Sequence, residues 1–309
     1  MAKRDAFDDV RAKTEAAGRR LIARREDNRL PSELTNRWTP GPPSSDSQWQ
    51  GRLDRFRRTV IPWMHHVRPL NGQQILEIGV GDGPAAVALV EQGAQVTGMD
   101  LVQHELDEAT SHLARMGLAA RLILGNATEL AQVAEVGEYD QIAFWAVLEH
   151  MTIRERLVAL SDAWDRLAPG GLLTLVETPN RLWPYDAHTS RLPFFSWLPY
   201  ELGYLYSSQS PRQGFRDRYS PDCVDVDMEH YLRRGHGVSF HEFDLAIGEH
   251  RELEVVSHMQ GYWRSRSSTR RAGWAVSRAG RTERTLAGYE PGIDSAWLQP
   301  YLYLTLRKA

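Results

Sequence analysis

The chain has 309 residues, 42% of them hydrophobic, a formal net charge of −3 at pH 7 and one cysteine, Cys223. This length holds one large domain or a domain with a cap, and the near-neutral charge argues against bulk nucleic-acid binding. A lone cysteine excludes an intrachain disulfide and a cysteine-based metal cluster, and no apolar run has the length and purity of a membrane span.

Residues 1–30 predict a charged, exposed helix; without an apolar stretch it does not read as a signal peptide, so the cytoplasm is the expected compartment. Residues 31–47, with Pro31, Pro40, Gly41, Pro42 and Pro43, read as a loop. Trp49, Leu53, Phe56, Val60, Trp63 and Met64 recur at helical spacing and predict a helix from about Gln48 to His66. Strands are expected at 74–79, 95–99, 121–124, 140–145 and 172–177, with helices at 84–92, 104–116, 128–134 and 153–167 between them. Such alternation is the signature of a parallel sheet. Ala168-Pro169-Gly170-Gly171 reads as the turn that launches the fifth strand. From Pro179 to about Val238 the alternation stops, and the segment is rich in aromatics and histidines. Ser239-Phe240-His241-Glu242 matches a capping box opening a helix to about Ile247. A strand follows at 253–259, then an arginine-rich stretch at 264–284, and an alternating strand, 301–306, closes the chain.

The chemistry concentrates at Ile75-Leu76-Glu77-Ile78-Gly79-Val80-Gly81-Asp82-Gly83. A buried strand runs there into a turn of glycines at spacing two, and an apolar helix follows. Glycine admits positive φ and lets the backbone approach a ligand, so strand, turn and helix form a nucleotide-type cradle. A dinucleotide site wants G-x-G-x-x-G, which would put the third small residue at position 84; Pro84 stands there and the glycine falls at 83.

The pattern E-x-G-x-G-x-G resembles motif I of the class I S-adenosylmethionine (SAM) methyltransferases, and the resemblance extends from about residue 50 to the end. It implies a Rossmann-like α/β fold. The seven-stranded sheet would run 3-2-1-4-5-7-6 with strand seven antiparallel, helices on both faces and a cap inserted after strand five. Residues 1–47 would be an extension and 48–309 the methyltransferase domain, with 180–238 as the substrate cap. SAM is the implied cofactor. Glu77, Gly79, Gly81 and Gly83 match the loop that holds its methionine moiety. Asp100 ends the second strand, where a carboxylate can accept both ribose hydroxyls. Asn126-Ala127 stand where the family usually has Asp-Ala at the adenine; the Asn126 oxygen can still accept. Trp145 opens a stretch, ending Leu148-Glu149-His150-Met151, that resembles the junction of cofactor pocket and substrate. The segment Thr178 to Ser190 is similar to bacterial small-molecule methyltransferases of quinone and natural-product type.

Methyl transfer from a sulfonium requires an aligned acceptor and, for a hydroxyl, removal of a proton. His150 is one candidate base, against the alternative that it braces its loop. His188 is the other, with Asp186 placed to orient its imidazole; the competing reading is an Asx-turn with a surface histidine. Tyr185, His236 and His241 are candidates for substrate binding. The aromatic run 194–206 can line an apolar pocket, form the underside of a cap or contact a membrane or lipid-like substrate. The arginines of 264–284 read as a solvated surface or an attractor of anions. His65-His66 is a poor metal pair, and no metal is expected. The expected activity is O-methylation of a small molecule, with carbon or nitrogen acceptors open. An NAD-dependent oxidoreductase and a non-catalytic SAM-binding regulator stand as readings from other classes. The oligomeric state is not encoded legibly.

Overall fold

The computed structural model describes residues 45–135, 137–221 and 225–309. The helix expected over 1–30, most of the loop 31–47 and Cys223 lie outside these residues.

Seven strands form one sheet in the order β3-β2-β1-β4-β5-β7-β6. They are β1 (Gln74–Ile78), β2 (Gln95–Asp100), β3 (Arg121–Leu124), β4 (Tyr139–Trp145), β5 (Leu167–Pro179), β6 (Glu254–His258) and β7 (Tyr301–Arg307). The first five are parallel, and β7 lies antiparallel to both β5 and β6. This is the expected order and the expected direction of the last strand.

Strand side chains alternate between faces, and two separate cores result. Leu76, Ile78, Ile142, Phe144, Leu173 and Leu175 face one cluster. Ile75, Val96, Ala143, Trp145 and Val176 face the other. The first is closed by α5 (Ile153–Arg166) and α9 (Phe240–Ala246). The second is closed by α1 (Asp46–Arg55), α2 (Ile61–Val67), α3 (Pro84–Val90) and α4 (Gln103–Arg115). A π-helical turn, Phe56–Val60, joins α1 to α2, so the expected single helix carries a bulge. Ser45 opens α1 and Thr152 opens α5 with full capping boxes. The Glu242 carboxylate reaches back to the Ser239 N–H at 3.0 Å at the start of α9, as the motif predicts.

Two boundaries differ from expectation. The turn 168–171 lies inside β5: Tyr139 pairs with Leu167, then Gln141 with Leu172, so the extra residues of β5 loop out as a bulge between two paired segments. The expected helix 128–134 is a 3₁₀ helix, Ala127–Gln132, capped by Asn126.

The segment after β5 is not irregular. It contains α6 (Tyr200–Ser207), α7 (Gln213–Arg216) and α8 (Asp225–Leu232) around their own buried cluster of Leu192, Phe195, Tyr204, Phe215 and Tyr231. The arginine-rich stretch folds as α10 (Met259–Ser265), α11 (Ser268–Val276) and α12 (Arg278–Tyr289). Arg264 pairs with Glu283 at 3.2 Å and stacks over Trp274, while Arg266 lies 4.0 Å from the centre of the Tyr262 ring. Among the described residues, no helix is long and apolar enough to cross a membrane.

Candidate active site

The carboxyl ends of β1, β2 and β4 meet at the glycine loop. Gly79, Gly81 and Gly83 all have positive φ, at 80°, 51° and 86°. A Cβ on Gly79 would lie 2.0 Å from Val147 Cγ2, and one on Gly83 would lie 2.9 Å from the Ala109 Cβ. These two glycines are required by packing as well as by φ. At Gly81 the nearest atom to an added Cβ is Glu105 Oε2, at 3.9 Å, an ordinary van der Waals contact, so this backbone is the least crowded of the three. The middle of the loop is therefore the place where a ligand can approach the main chain.

Asp100 is built into the loop. Its Oδ2 accepts the Gly81 N–H at 2.9 Å and its Oδ1 the Val102 N–H at 3.0 Å. Each carboxylate oxygen keeps a further lone pair, which suits a diol. Burial raises the Asp100 pKa, its backbone hydrogen bonds oppose the rise, and Asp82 adds to it. Glu77 is fully buried, neither oxygen has a hydrogen-bond partner, and burial with the nearby Asp100 pushes its pKa well up. Glu105 is raised by burial and by Asp82 and Asp100. Four acids thus crowd one loop, an environment that favours a cationic ligand. Uncrowded glycine backbone, spare carboxylate lone pairs and negative field fit SAM, whose sulfonium and ammonium groups are positive.

Asp82 and Glu105 were not singled out by the sequence reading. Asp82 lay within the motif itself; Glu105, five positions past Asp100, carried no motif signal. The role of α1 also required the structure. Trp49 Nε1 donates to the Asp82 carbonyl at 3.0 Å, its ring stacks on His112 at 4.1 Å, and Arg52 pairs with the Asp82 carboxylate. Arg55 pairs with Glu177, a non-glycine residue at φ 65° near the end of β5, which also accepts from the Tyr303 hydroxyl at 3.3 Å. Helix α1 is thereby fastened across the loop end of the sheet.

Asn126 follows β3, beside Asp100: the Gly125 N–H bonds the Asp100 carbonyl at 2.9 Å. Its Oδ1 accepts the Thr128 N–H at 3.0 Å, so it caps its helix with the atom assigned to adenine. Ala127 packs in the sheet core. Trp145 is buried with its ring edge-on to Phe56 at 5.2 Å, and its Nε1 has no partner.

The two candidate bases come together. The rings of His150 and His188 are 6.4 Å apart, and Tyr301 lies 6.3 Å beyond His188. His150 Nδ1 sits 3.0 Å from the Arg233 carbonyl, which only accepts, so Nδ1 carries the proton and Nε2 the lone pair. Thr189 Oγ1 donates to the Gly235 carbonyl at 2.6 Å and lies 2.8 Å from His188 Nδ1. The hydroxyl has spent its proton, so His188 Nδ1 is also the donor. Burial lowers the His150 pKa to about 4. Burial lowers His188 too, with Asp186 opposing. Beside them Glu149 is fully buried, both oxygens are without partners, and burial raises its pKa to about 8.

The expected Asp186–His188 contact is corrected. Asp186 does not hydrogen-bond the His188 ring: Oδ1 accepts the N–H groups of His188 and Thr189 at 3.0 Å, and Oδ2 accepts the Ser190 N–H and hydroxyl at 2.7 Å. The backbone N–H groups of residues 188–190 and the Ser190 hydroxyl outcompete a ring, and an Asx-turn results. Tyr185 is half exposed, in a bridge with Pro193. His236 and His241 do not join the histidine pair; they line a cavity formed largely by the segment after β5, whose wall includes neither His150 nor His188.

Sheet order, glycine loop and acid ring resemble those of the class I SAM-dependent methyltransferases, and residues 75–171 match a methyltransferase domain, which fits SAM as the cofactor. The family description "Methyltransferase domain" matches residues 75–171, from β1 to the bulge of β5. A ubiquinone biosynthesis O-methyltransferase from Thiobacillus denitrificans is 32% identical over 150 residues, 48% of this chain and 61% of that protein. One of the same name from Dinoroseobacter shibae is 34% identical over 42% of this chain and 52% of that protein. Among solved structures, a SAM-dependent methyltransferase from Methanosarcina mazei is 26% identical over 38% of this chain and 58% of that chain, with a TM-score of 0.36. The chain spans 46% to 62% of the length of the curated relatives it matches.

Proposed function

We propose that this chain methylates a hydroxyl oxygen of a small molecule. The observation that carries this reading is the glycine loop, least crowded at Gly81 and ringed by acids, at the head of a domain whose curated relatives are named O-methyltransferases. SAM, when bound, supplies a methyl group already activated on a positive sulfur. The loop backbone from Gly79 to Gly83 and the Asp100 carboxylate would hold it, with Asn126 on the adenine side. The chain's remaining work is to align the acceptor and take its proton. His188 is the better base of the two histidines. Its lone pair is fixed at Nε2, and Asp186 opposes the lowering of its pKa. His150 then orients the acceptor. The segment 180–238 acts as the cap that shapes specificity and excludes water.

Calorimetry with SAM, S-adenosylhomocysteine and NADH tests the first step. Micromolar binding of the first two, lost in Asp100→Ala, is expected; a preference for NADH would overturn the reading. An acceptor screen then tests the base. His188→Gln should lower turnover by about 10²- to 10⁴-fold with S-adenosylhomocysteine affinity unchanged. Full turnover in that variant would remove the histidine step and leave methyl transfer standing.

A further inference from the structure

We infer that the cap holds a second ligand site, a cavity of about 410 Å³ that takes a flat apolar molecule bearing one anionic group. This site is independent of the methyl-transfer reading, because its wall includes no residue of the glycine loop and neither candidate base.

The volume falls in the range of small-molecule pockets. The walls are aromatic. Phe195 lies parallel to His236 at 5.8 Å, while Tyr200 and Tyr231 stand edge-on to the same ring at 5.1 and 4.8 Å. Trp197 lies at the cavity half exposed, its Nε1 held by the Arg181 carbonyl at 2.9 Å. Flat π faces on several sides select a planar apolar body. Aromatic boxes also bind cations, but Arg181 lines this one and repels them.

The charge at the cavity is not balanced. Among the described residues that line it, Arg181 carries the one full charge. Its nearest carboxylate among the described residues, Glu242, is 4.0 Å away and already committed. Glu242 Oε1 accepts from the buried Arg156 at 3.0 Å, and Oε2 accepts the Ser239 N–H and hydroxyl at 3.0 and 2.9 Å. Two guanidinium groups therefore share one carboxylate. Asp186, the other acid felt by His236, is held by its own turn and does not line the cavity. His236 reports the surplus: burial first, then Arg156 and Arg181, push its pKa down to about 4. Arg181 is also held in place, with Nε on the Gly237 carbonyl at 3.1 Å and Nη2 on the Tyr200 hydroxyl at 3.2 Å. A fixed guanidinium beside flat walls is built for a carboxylate or phosphate on a ring.

Calorimetry with 2-naphthoate, 2-naphthyl phosphate and the neutral 2-naphthamide tests this. Either anion should bind at least about tenfold more tightly than the amide, the worth of one charge-assisted hydrogen bond. The anion that wins distinguishes carboxylate from phosphate. Arg181→Gln should reduce the preference to less than about threefold and Arg181→Lys should retain most of it, because Lys keeps the charge. Trp197→Ala should weaken acid and amide alike. Binding should persist in protein saturated with S-adenosylhomocysteine. Equal binding of acid and amide by the unaltered protein, no binding of any probe, or displacement by S-adenosylhomocysteine would overturn the site; none of these requires the variants to fold.

Discussion

The glycine loop and the cap both lie at the carboxyl edge of the sheet, and they use polar side chains in opposite ways. Around the loop, polar capacity is left over: Glu77 has no partner for either oxygen, Asp82 Oδ1 has none, and each Asp100 oxygen accepts one N–H. Where the 180–238 segment meets α5, capacity is largely consumed, although His230 Nε2 has no partner. Asp186 accepts four hydrogen bonds, and Arg156 gives Nε to the carbonyls of Leu148 and Met151, Nη1 to Gly237 and Glu242, and Nη2 to His236. Buried polar groups without partners cost stability, so a fold retains them where a ligand will satisfy them. Spent groups mark architecture. This contrast supports the proposal that the loop is the binding surface and that the Arg156 network joins the 180–238 segment to α5.

The strongest way to break that comparison is at the joint. Arg156→Met leaves Glu242 buried without its closest cation and strips four carbonyls, so it should cost about 3–5 kcal/mol in urea unfolding. A cost below about 1 kcal/mol would mean the network is incidental.

Glu149 sits where the two regions meet, its carbonyl accepting the His236 N–H at 2.8 Å. Its carboxyl titrates near 8 in the folded chain, against an ordinary value of 4.5. The folded chain holds that proton more tightly than the unfolded chain. Its contribution to stability is therefore complete below about pH 4.5 and is lost as pH rises through about 8. Glu149→Gln removes the titration, so the variant should match the parent near pH 4 and exceed it by on the order of 2–3 kcal/mol at pH 9. His150 and His236 act in the opposite sense: with pKa values lowered to about 4, they favour the fold above about pH 6.5 and cost stability as pH falls towards 4. The difference between parent and Glu149→Gln melting curves across pH isolates the carboxyl. A difference that does not grow with pH would show Glu149 ionised in the fold.

Within the loop, two glycines of the same motif should separate packing from binding. Gly79→Ala combines positive φ with a collision at Val147 and should cost about 2–4 kcal/mol. Gly81→Ala meets only φ strain, about 1 kcal/mol, yet places a methyl group where the ligand approaches. It should weaken S-adenosylhomocysteine more than Gly79→Ala does in whatever fraction of each remains folded. The reverse ranking would move the ligand off Gly81.

The same contrast explains what the sequence disclosed. The alternation of Ile75 and Leu76, or Ala143 and Phe144, places each side chain on a face of the sheet, so order and loop were readable from local pattern. Glycine permits the positive φ found at all three loop positions, and their spacing directly after a strand is what pointed to it. The cap followed other rules. Arg156 looks like one more charge on an amphipathic helix, and its acceptors on Gly237 and Glu242 are 81 and 86 positions away. Asp186 was misread because the donors that won it are its own neighbours' N–H groups, which any sequence supplies without a signal. The turn expected at 168–171 was misplaced because pairing by Tyr139 with Leu167 continues the strand on the near side.

Asn126 offers the smallest effect and the finest distinction, because one atom serves both regions' habits. Its Oδ1 is spent as a helix cap, as in the cap, yet it stands beside Asp100 at the loop, where spare lone pairs are the rule. A carbonyl oxygen has two lone pairs, so capping and ligand contact are compatible. Asn126→Asp preserves the acceptor and should leave stability within about 0.5 kcal/mol. Asn126→Ala removes the cap, about 1 kcal/mol, and the adenine contact. Affinity for S-adenosylhomocysteine, measured against its inosine analogue, separates the two roles. If Asn126 meets the adenine amino group, the parent and Asn126→Asp should prefer the adenosine compound and Asn126→Ala should lose that preference. A preference that survives in Asn126→Ala would leave the residue a helix cap alone, and adenine would be read by the backbone beside it.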